Sequence, residues 1–211
     1  MKKQKHYSID PEKFFDRSER KQLMNKAKEK AELDLLHGRS TWVVRYMLVD
    51  LALFSGLRVA ELAALKIGDL KLKITDPHLI VRSGKGDKKR AVYLDKKLVN
   101  HLKNFISWKK KTRGESVEPE TPLFTSRKSG HVPPITLMKS FKRAIKEAGL
   151  PDHYSIHSAR HTYATYLLHD TKNLKYVQKQ LGHSNISMTA LYSGILPEEN
   201  GYLANQIERD E

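Results

Sequence analysis

Apolar positions divide the 211-residue chain into long helical stretches interrupted once by short alternating runs. Up to about residue 36 the chain is rich in Lys and Glu. Asp10 followed by Pro11 reads as an N-cap and first helical residue, with Ile9 and Phe14 at staple positions across the cap. Gly38 predicts the stop. In the next stretch Trp42, Val43, Val44, Met47, Leu48, Val49 and Leu51 point all round, which predicts a buried helix capped by Ser40 and broken at Ser55-Gly56. Residues 59–65 predict another short helix. From 70 to 94 the period changes: 72–74, 78–81 and 90–94 have β character, with a basic, turn-rich hairpin tip at 83–89. Helices are predicted again over 95–111, 135–148 (ended by Gly149) and 155–169 (capped by Ser155). Leu174, Val177 and Leu181 mark the apolar face of the next, ended by Gly182. A last firm helix over 186–195 carries Tyr192. The polar, Pro-containing stretch 112–122 reads as a loop joining two halves of one domain. The predicted fold is mainly α with a small antiparallel β-sheet of two or three strands, an α+β class.

Composition adds a partner class. Lys and Arg outnumber Asp and Glu by 39 to 24, a net charge of +15 that argues for a polyanion, with DNA or RNA ahead of an acidic membrane. There is no cysteine, which excludes disulfides, thiolate metal sites and thiol nucleophiles and fits a reducing compartment. The basic N-terminus lacks the apolar stretch of a signal peptide, and the longest apolar run, 42–54, contains Arg45 and Asp50 and is too short to span a bilayer. A cytoplasmic, nucleoid-associated protein without membrane partners is expected.

Several residues have a chemistry worth weighing. His157 and Arg160 stand one helical turn apart, and His161 lies within a turn of His157. A His-x-x-x-His pair can bind zinc, but Ser158 stands where a zinc protease needs Glu, and no third ligand is evident, so no metal site is assigned. Arg58 follows Ser55-Gly56-Leu57 in apolar surroundings. It either pairs with Glu61 or presents its planar fork to a phosphate. Lys85, between Gly84 and Gly86, is either a solvated turn residue or a cation that swings into a groove. Lys88, Lys89 and Arg90 would then contact DNA backbone without reading bases. Tyr192 stands nine residues beyond His183. A phenol is a weak nucleophile unless neighbours take its proton or stabilise the phenolate, so by itself it reads equally as a packing residue.

In order and spacing these segments resemble the tyrosine recombinases, the phage-integrase family. Ser55-Gly56-Leu57-Arg58-Val59-Ala60-Glu61-Leu62 resembles the first-arginine box, and Gly84-Lys85-Gly86 the β-hairpin lysine. His157-Ser158-Ala159-Arg160-His161-Thr162 resembles the His-x-x-Arg box. Leu181-Gly182-His183-Ser184 followed by Tyr192 resembles the last histidine and the nucleophile. The resemblance implies a site-specific recombinase (integrase, invertase or resolvase) that cleaves and rejoins double-stranded DNA through a 3′-phosphotyrosyl link, with no ATP and no metal. It implies that Tyr192 attacks the scissile phosphate and that Arg58, Arg160 and His183 hold it. His157 would act as general base or relay for Tyr192, and Lys85 would protonate the leaving 5′-oxygen. It also implies a homotetramer on DNA and a monomer or weak oligomer without it.

The chain departs from the family pattern in two places. Tyr192-Ser193-Gly194 replaces the frequent Tyr-Thr-His, and only a basic tail and helix over 1–39 precede the catalytic region of 40–195. The resemblance thus leaves either a fragment lacking an N-terminal clamping domain or a naturally compact member, which would call on accessory DNA-bending proteins. The polar tail 196–211, with Leu203 and Ile207 as anchors, would be exchanged between protomers. Other readings are a type IB topoisomerase, a DNA-binding protein that has lost catalysis, and a metal hydrolase on His157 and His161.

Overall fold

A computed structural model describes residues 13–82, 89–126, 130–183 and 185–192. The first helix, α1 (Arg17–Leu36), starts at a capping box: Asp16 Oδ1 accepts from the Glu19 N–H at 2.7 Å and Glu19 Oε2 from the Asp16 N–H at 2.9 Å. The cap expected at Asp10-Pro11 lies outside the described residues, and residues 13–16 are not α-helical. The reason is the Phe14-Phe15 pair. Phe15 is fully buried, its ring 4.3 Å from that of Tyr154 and its N–H donated to Thr162 Oγ1 at 2.9 Å, so the chain must turn inward before the helix can begin. Phe14 meets Tyr166 edge-on.

Helix α2 (Thr41–Ser55) is buried nearly all round, as its pattern predicts. Ser40 occupies the cap position, but its side chain makes no capping bond. The buried carboxylate of Asp34 does that work from α1, accepting from the Trp42 N–H at 2.7 Å and from Arg39 Nε at 2.9 Å. Gly56 ends the helix at φ +63°, where a Cβ would also strike the Tyr163 ring. The short α3 (Val59–Ala64) follows.

An antiparallel sheet in the order β1 (Leu70–Lys71), β2 (His78–Arg82), β3 (Lys89–Tyr93) buries Leu79, Val81 and Val92 on one face. The strand expected at 72–74 is displaced: Leu70 pairs with Leu79, which puts both inside, and residues 73–76 make the bend into β2. The Asp95 carboxylate caps α4 (Lys96–Lys111). The loop 112–122 is tied back to the core, because buried Lys109 Nζ donates to Leu123 O and to Glu115 Oε2, and the Leu123 N–H donates to Leu65 O. A second small sheet, β4 (Thr125–Ser126) with β5 (Gly130–His131), is an element the sequence did not predict. Then come α5 (Pro134–Glu147), α6 (Ile156–Thr171), α7 (Leu174–Leu181) and α8 (Ser187–Ala190). The firm helix expected over 186–195 is shorter: Leu191 and Tyr192 form a turn after α8, and residues 193–195 lie outside the described residues.

One hydrophobic core runs from Phe15 through Ala159, and α1 contributes Leu23, Ala27 and Ala31 to it, so residues 39–40 mark no boundary in the packing. A smaller cluster of Ala164, Val177, Leu181 and Tyr192 seats the last turn against α6 and α7. The architecture is mainly α with small antiparallel sheets, the class expected.

Candidate active site

Three helix ends converge on one cleft of about 540 Å³. Arg58, His157, Arg160, His161, His183 and Tyr192 are among its lining residues. The close of α2 at Gly56 and the close of α7 at Gly182 both pass through left-handed glycines. Their carbonyl ends face the guanidinium of Arg160 on α6, which donates through Nη1 to Gly56 O and through Nη2 to Leu181 O at 2.9 Å. A cation at two helix C-termini is favourably placed, since both ends carry partial negative charge. Arg160 is 7% exposed. Burial, then the charge of nearby Arg58, lowers its pKa to about 10, so it remains a cation at neutral pH.

Arg160 Nη2 also lies 3.0 Å from Nε2 of His183. A guanidinium has no acceptor, so Nε2 must carry the lone pair and Nδ1 the proton, which it donates to Thr189 Oγ1 at 3.0 Å. Burial and the surrounding arginines, Arg160 first, push the His183 pKa down to about 4, consistent with a neutral ring.

Arg58 sits at the N-cap of α3, with its side chain 45% exposed. Glu61 Oε2 accepts from its backbone N–H at 2.7 Å, and Oε1 accepts from Nη1 at 3.2 Å. The stronger partner of Glu61 is Arg90, which binds it bidentately at 2.8 and 2.9 Å and also donates through Nε to Gln180 O at 3.1 Å. Burial alone would raise the Glu61 carboxyl. The hydrogen bonds from Arg90 and from the Arg58 backbone overcome it and hold the pKa below the usual range. Three guanidinium groups thus surround one carboxylate, leaving the cleft with an excess of two positive charges before any ligand enters. Arg58 remains half-open to receive an anion.

Tyr192 is buried, and its Oη lies 3.0 Å from Nδ1 of His161. His157, one turn earlier on α6, stands exposed at the mouth. Five of the six residues the sequence singles out as catalytic therefore share one cleft. The sixth, Lys85, lies outside the described residues, as does Lys88. Lys89 is exposed at the start of β3. Arg90, expected on DNA beside it, faces inward and braces Glu61. Its strand neighbour alternates outward, and a Cβ at Gly182 would come within 2.8 Å of it. The sequence reading also misses the contact between His161 and Tyr192. His161 is weighed there as a zinc partner for His157 and stands within the His-x-x-Arg box without a role of its own, and its adjacency to Arg160 is the available signal. Among the described residues no three His, Asp or Glu side chains gather as metal ligands.

A sequence model described as the phage integrase family matches residues 13–199. The chain is 35% identical over 162 residues to a protein named tyrosine recombinase from Pseudothermotoga lettingae, covering 77% of this chain and 53% of that one. It is 31% identical over 176 residues to tyrosine recombinase XerC of Bradyrhizobium diazoefficiens, covering 82% and 53%. The crystal structure of XerA recombinase superposes with a TM-score of 0.73 at 25% identity, covering 96% of this chain and 67% of that one. The XerH recombinase, solved on a palindromic difH substrate after cleavage, shares the fold with a TM-score of 0.73 at 24% identity, covering 92% and 52%. The chain spans about half the length of the curated relatives it matches.

Proposed function

The chain belongs to the phage integrase family, and on that footing we propose that it is a site-specific DNA recombinase working through a phosphotyrosyl intermediate on Tyr192. The observation that carries this reading is the gathering of a buried tyrosine hydroxyl, two arginines and a neutral histidine around one cationic cleft. A phosphodiester has two non-bridging oxygens that gain charge as a fifth oxygen bonds to phosphorus. Donors fixed in advance around that charge lower the barrier. Arg58 offers a half-open fork and Arg160 a buried one held by backbone carbonyls. His183 supplies a third group on the same phosphate. His157, at the mouth, relays protons. Tyr192 Oη bonds to phosphorus while the P–O5′ bond breaks, the electron pair leaving on O5′. Lys85, in the stretch of chain between β2 and β3, gives that oxygen its proton. The reverse attack by a 5′-hydroxyl of another strand rejoins DNA and frees the tyrosine. Because the phosphoester energy is kept in the protein link, the cycle balances with neither ATP nor a metal ion.

The partner is double-stranded DNA, recognised first through phosphate contacts of basic side chains, exposed Lys89 and its neighbour Lys88 in the chain among them. On that DNA four copies assemble, with residues 196–211 reaching a neighbouring protomer and accessory bending proteins assisting. The work takes place in the cytoplasm on the nucleoid. No helix among the described residues is long and apolar enough to cross a membrane.

The test uses nicked suicide duplexes drawn from the surrounding genomic sequence. A covalent protein–DNA adduct is expected, and Tyr192→Phe abolishes it. An adduct that persists in Tyr192→Phe places the nucleophile elsewhere.

A further inference from the structure

We propose that His161 is the base that takes the phenolic proton of Tyr192. This rests on the reading of Tyr192 as nucleophile and adds to it the group that makes the phenol reactive. The geometry is direct: Nδ1 of His161 lies 3.0 Å from Oη of Tyr192, with the two rings 5.9 Å apart between centroids and tilted by 42°. That is within the reach a general base needs. The support is rigid. His161 sits inside the 16-residue α6, between buried Arg160 and fully buried Thr162, whose hydroxyl donates to Ser158 O. Successive helical residues point about 100° apart. One short segment therefore aims Arg160 at the helix ends and His183, and aims His161 at the nucleophile.

The imidazole is available as an acceptor. Burial, then the charge of Arg160, lowers its proton affinity below that of a free histidine. The titratable and charged groups that bear on it are Arg160 and His157 from α6 itself, Lys13 from the segment before α1, Tyr192 after α8 and His183 after α7. Most are cationic or can become so. Together they oppose formation of an imidazolium at His161. A phosphodiester seated against Arg58 and Arg160 brings a negative charge into the same cleft and offsets that opposition. Proton transfer then becomes favourable only when a phosphate is present to be attacked. The step balances: the Oη–H bond breaks, the proton goes to Nδ1, the Oη–P bond forms and the P–O5′ bond breaks, with O5′ taking a proton from its own acid. His157, one turn away on the same face and exposed, offers the proton its way to solvent.

Two measurements test this. In the full chain without DNA, nitrogen-15 NMR of the histidine side chains should show the His161 Nδ1 resonance shifting in Tyr192→Phe. A resonance indifferent to that change overturns the proposal whether or not the protein cleaves DNA. With suicide duplexes, His161→Asn keeps a polar atom near the position of Nδ1 but cannot take a proton. Adduct formation should slow by roughly 10²–10⁴-fold. A fluorinated tyrosine at position 192, more acidic than Tyr, should recover much of that loss in His161→Asn while changing the parent less. A His161→Asn protein with the parent's rate, or a loss that fluorination leaves untouched, overturns the base role. Absence of any adduct in the parent, with the Nδ1 contact intact, counts instead against the recombinase reading.

Discussion

His183 shows how one side chain can report on the whole cleft. Its folded pKa of about 4 lies below the 6.5 of an unperturbed histidine because burial and three arginines oppose its charging. Above pH 6.5 the ring is neutral in both folded and unfolded chains, and it contributes no pH dependence. Between 6.5 and about 4 the unfolded chain binds a proton that the folded chain refuses, so stability falls as the pH falls. His161 is shifted in the same direction. In His183→Asn the loss of stability between pH 7 and pH 5, read from urea midpoints, should be smaller than in the parent by on the order of 1 kcal/mol after allowing for solvent screening. An equal loss in both proteins would show that folding does not shift the ring's pKa. The residue types at this site were legible in the sequence, because arginine, histidine and tyrosine stand at recognisable spacings. Their partners were not. The contact of His161 with Tyr192 spans 31 residues and that of Arg90 with Glu61 spans 29, and no local pattern encodes either.

At the scale of elements, caps and stops were the readable part. Asp95, Ser155, Gly56 and Gly182 end or begin helices where expected, since each acts on backbone groups a few residues away. The misplaced features depend on distant packing: the late start of α1 follows from Phe15 meeting Tyr154 and Thr162, and the cap of α2 comes from Asp34. The β4–β5 pair is only two residues per strand, too short for an alternating pattern to register. Gly56 joins the two kinds of information. Its φ of +63° is disfavoured for any L side chain, and the Tyr163 ring occupies the space of a Cβ. Gly149 has nearly the same φ, +68°, but open space around it. Gly149→Ala should therefore cost about 1 kcal/mol, the backbone penalty alone. Gly56→Ala should cost a further 1–3 kcal/mol, roughly, from overpacking. It should also slow adduct formation, because the carbonyl that holds Arg160 must move. Urea unfolding at unchanged m-value separates the two, and coincident midpoints would mean that Tyr163 gives way freely.

For the molecule as a whole, the net charge of +15 predicts DNA affinity that weakens steeply with salt, each neutralised phosphate adding about 0.9 to the slope of log K against log salt. Charge count alone cannot say which cations do this, and here sequence and structure part. Lys89 and Arg90 are adjacent and equally basic, yet a strand alternates its faces. Lys89 is exposed at the edge of β3, whereas the Arg90 side chain is only 15% exposed and is bonded to Glu61 and Gln180. Lys89→Gln should thus reduce the salt slope by roughly 0.9 and leave the unfolding midpoint where it is. Arg90→Gln should do the opposite. The slope stays, while stability falls by about 3 kcal/mol because Glu61 loses its bidentate partner in a half-closed environment. Fluorescence titrations of a labelled duplex at several salt concentrations, with urea melts of the same preparations, decide between them. If Arg90→Gln lowers the slope and melts like the parent, its guanidinium swings out to DNA, and the brace between α3, β3 and α7 is not what holds Arg58 at the cleft.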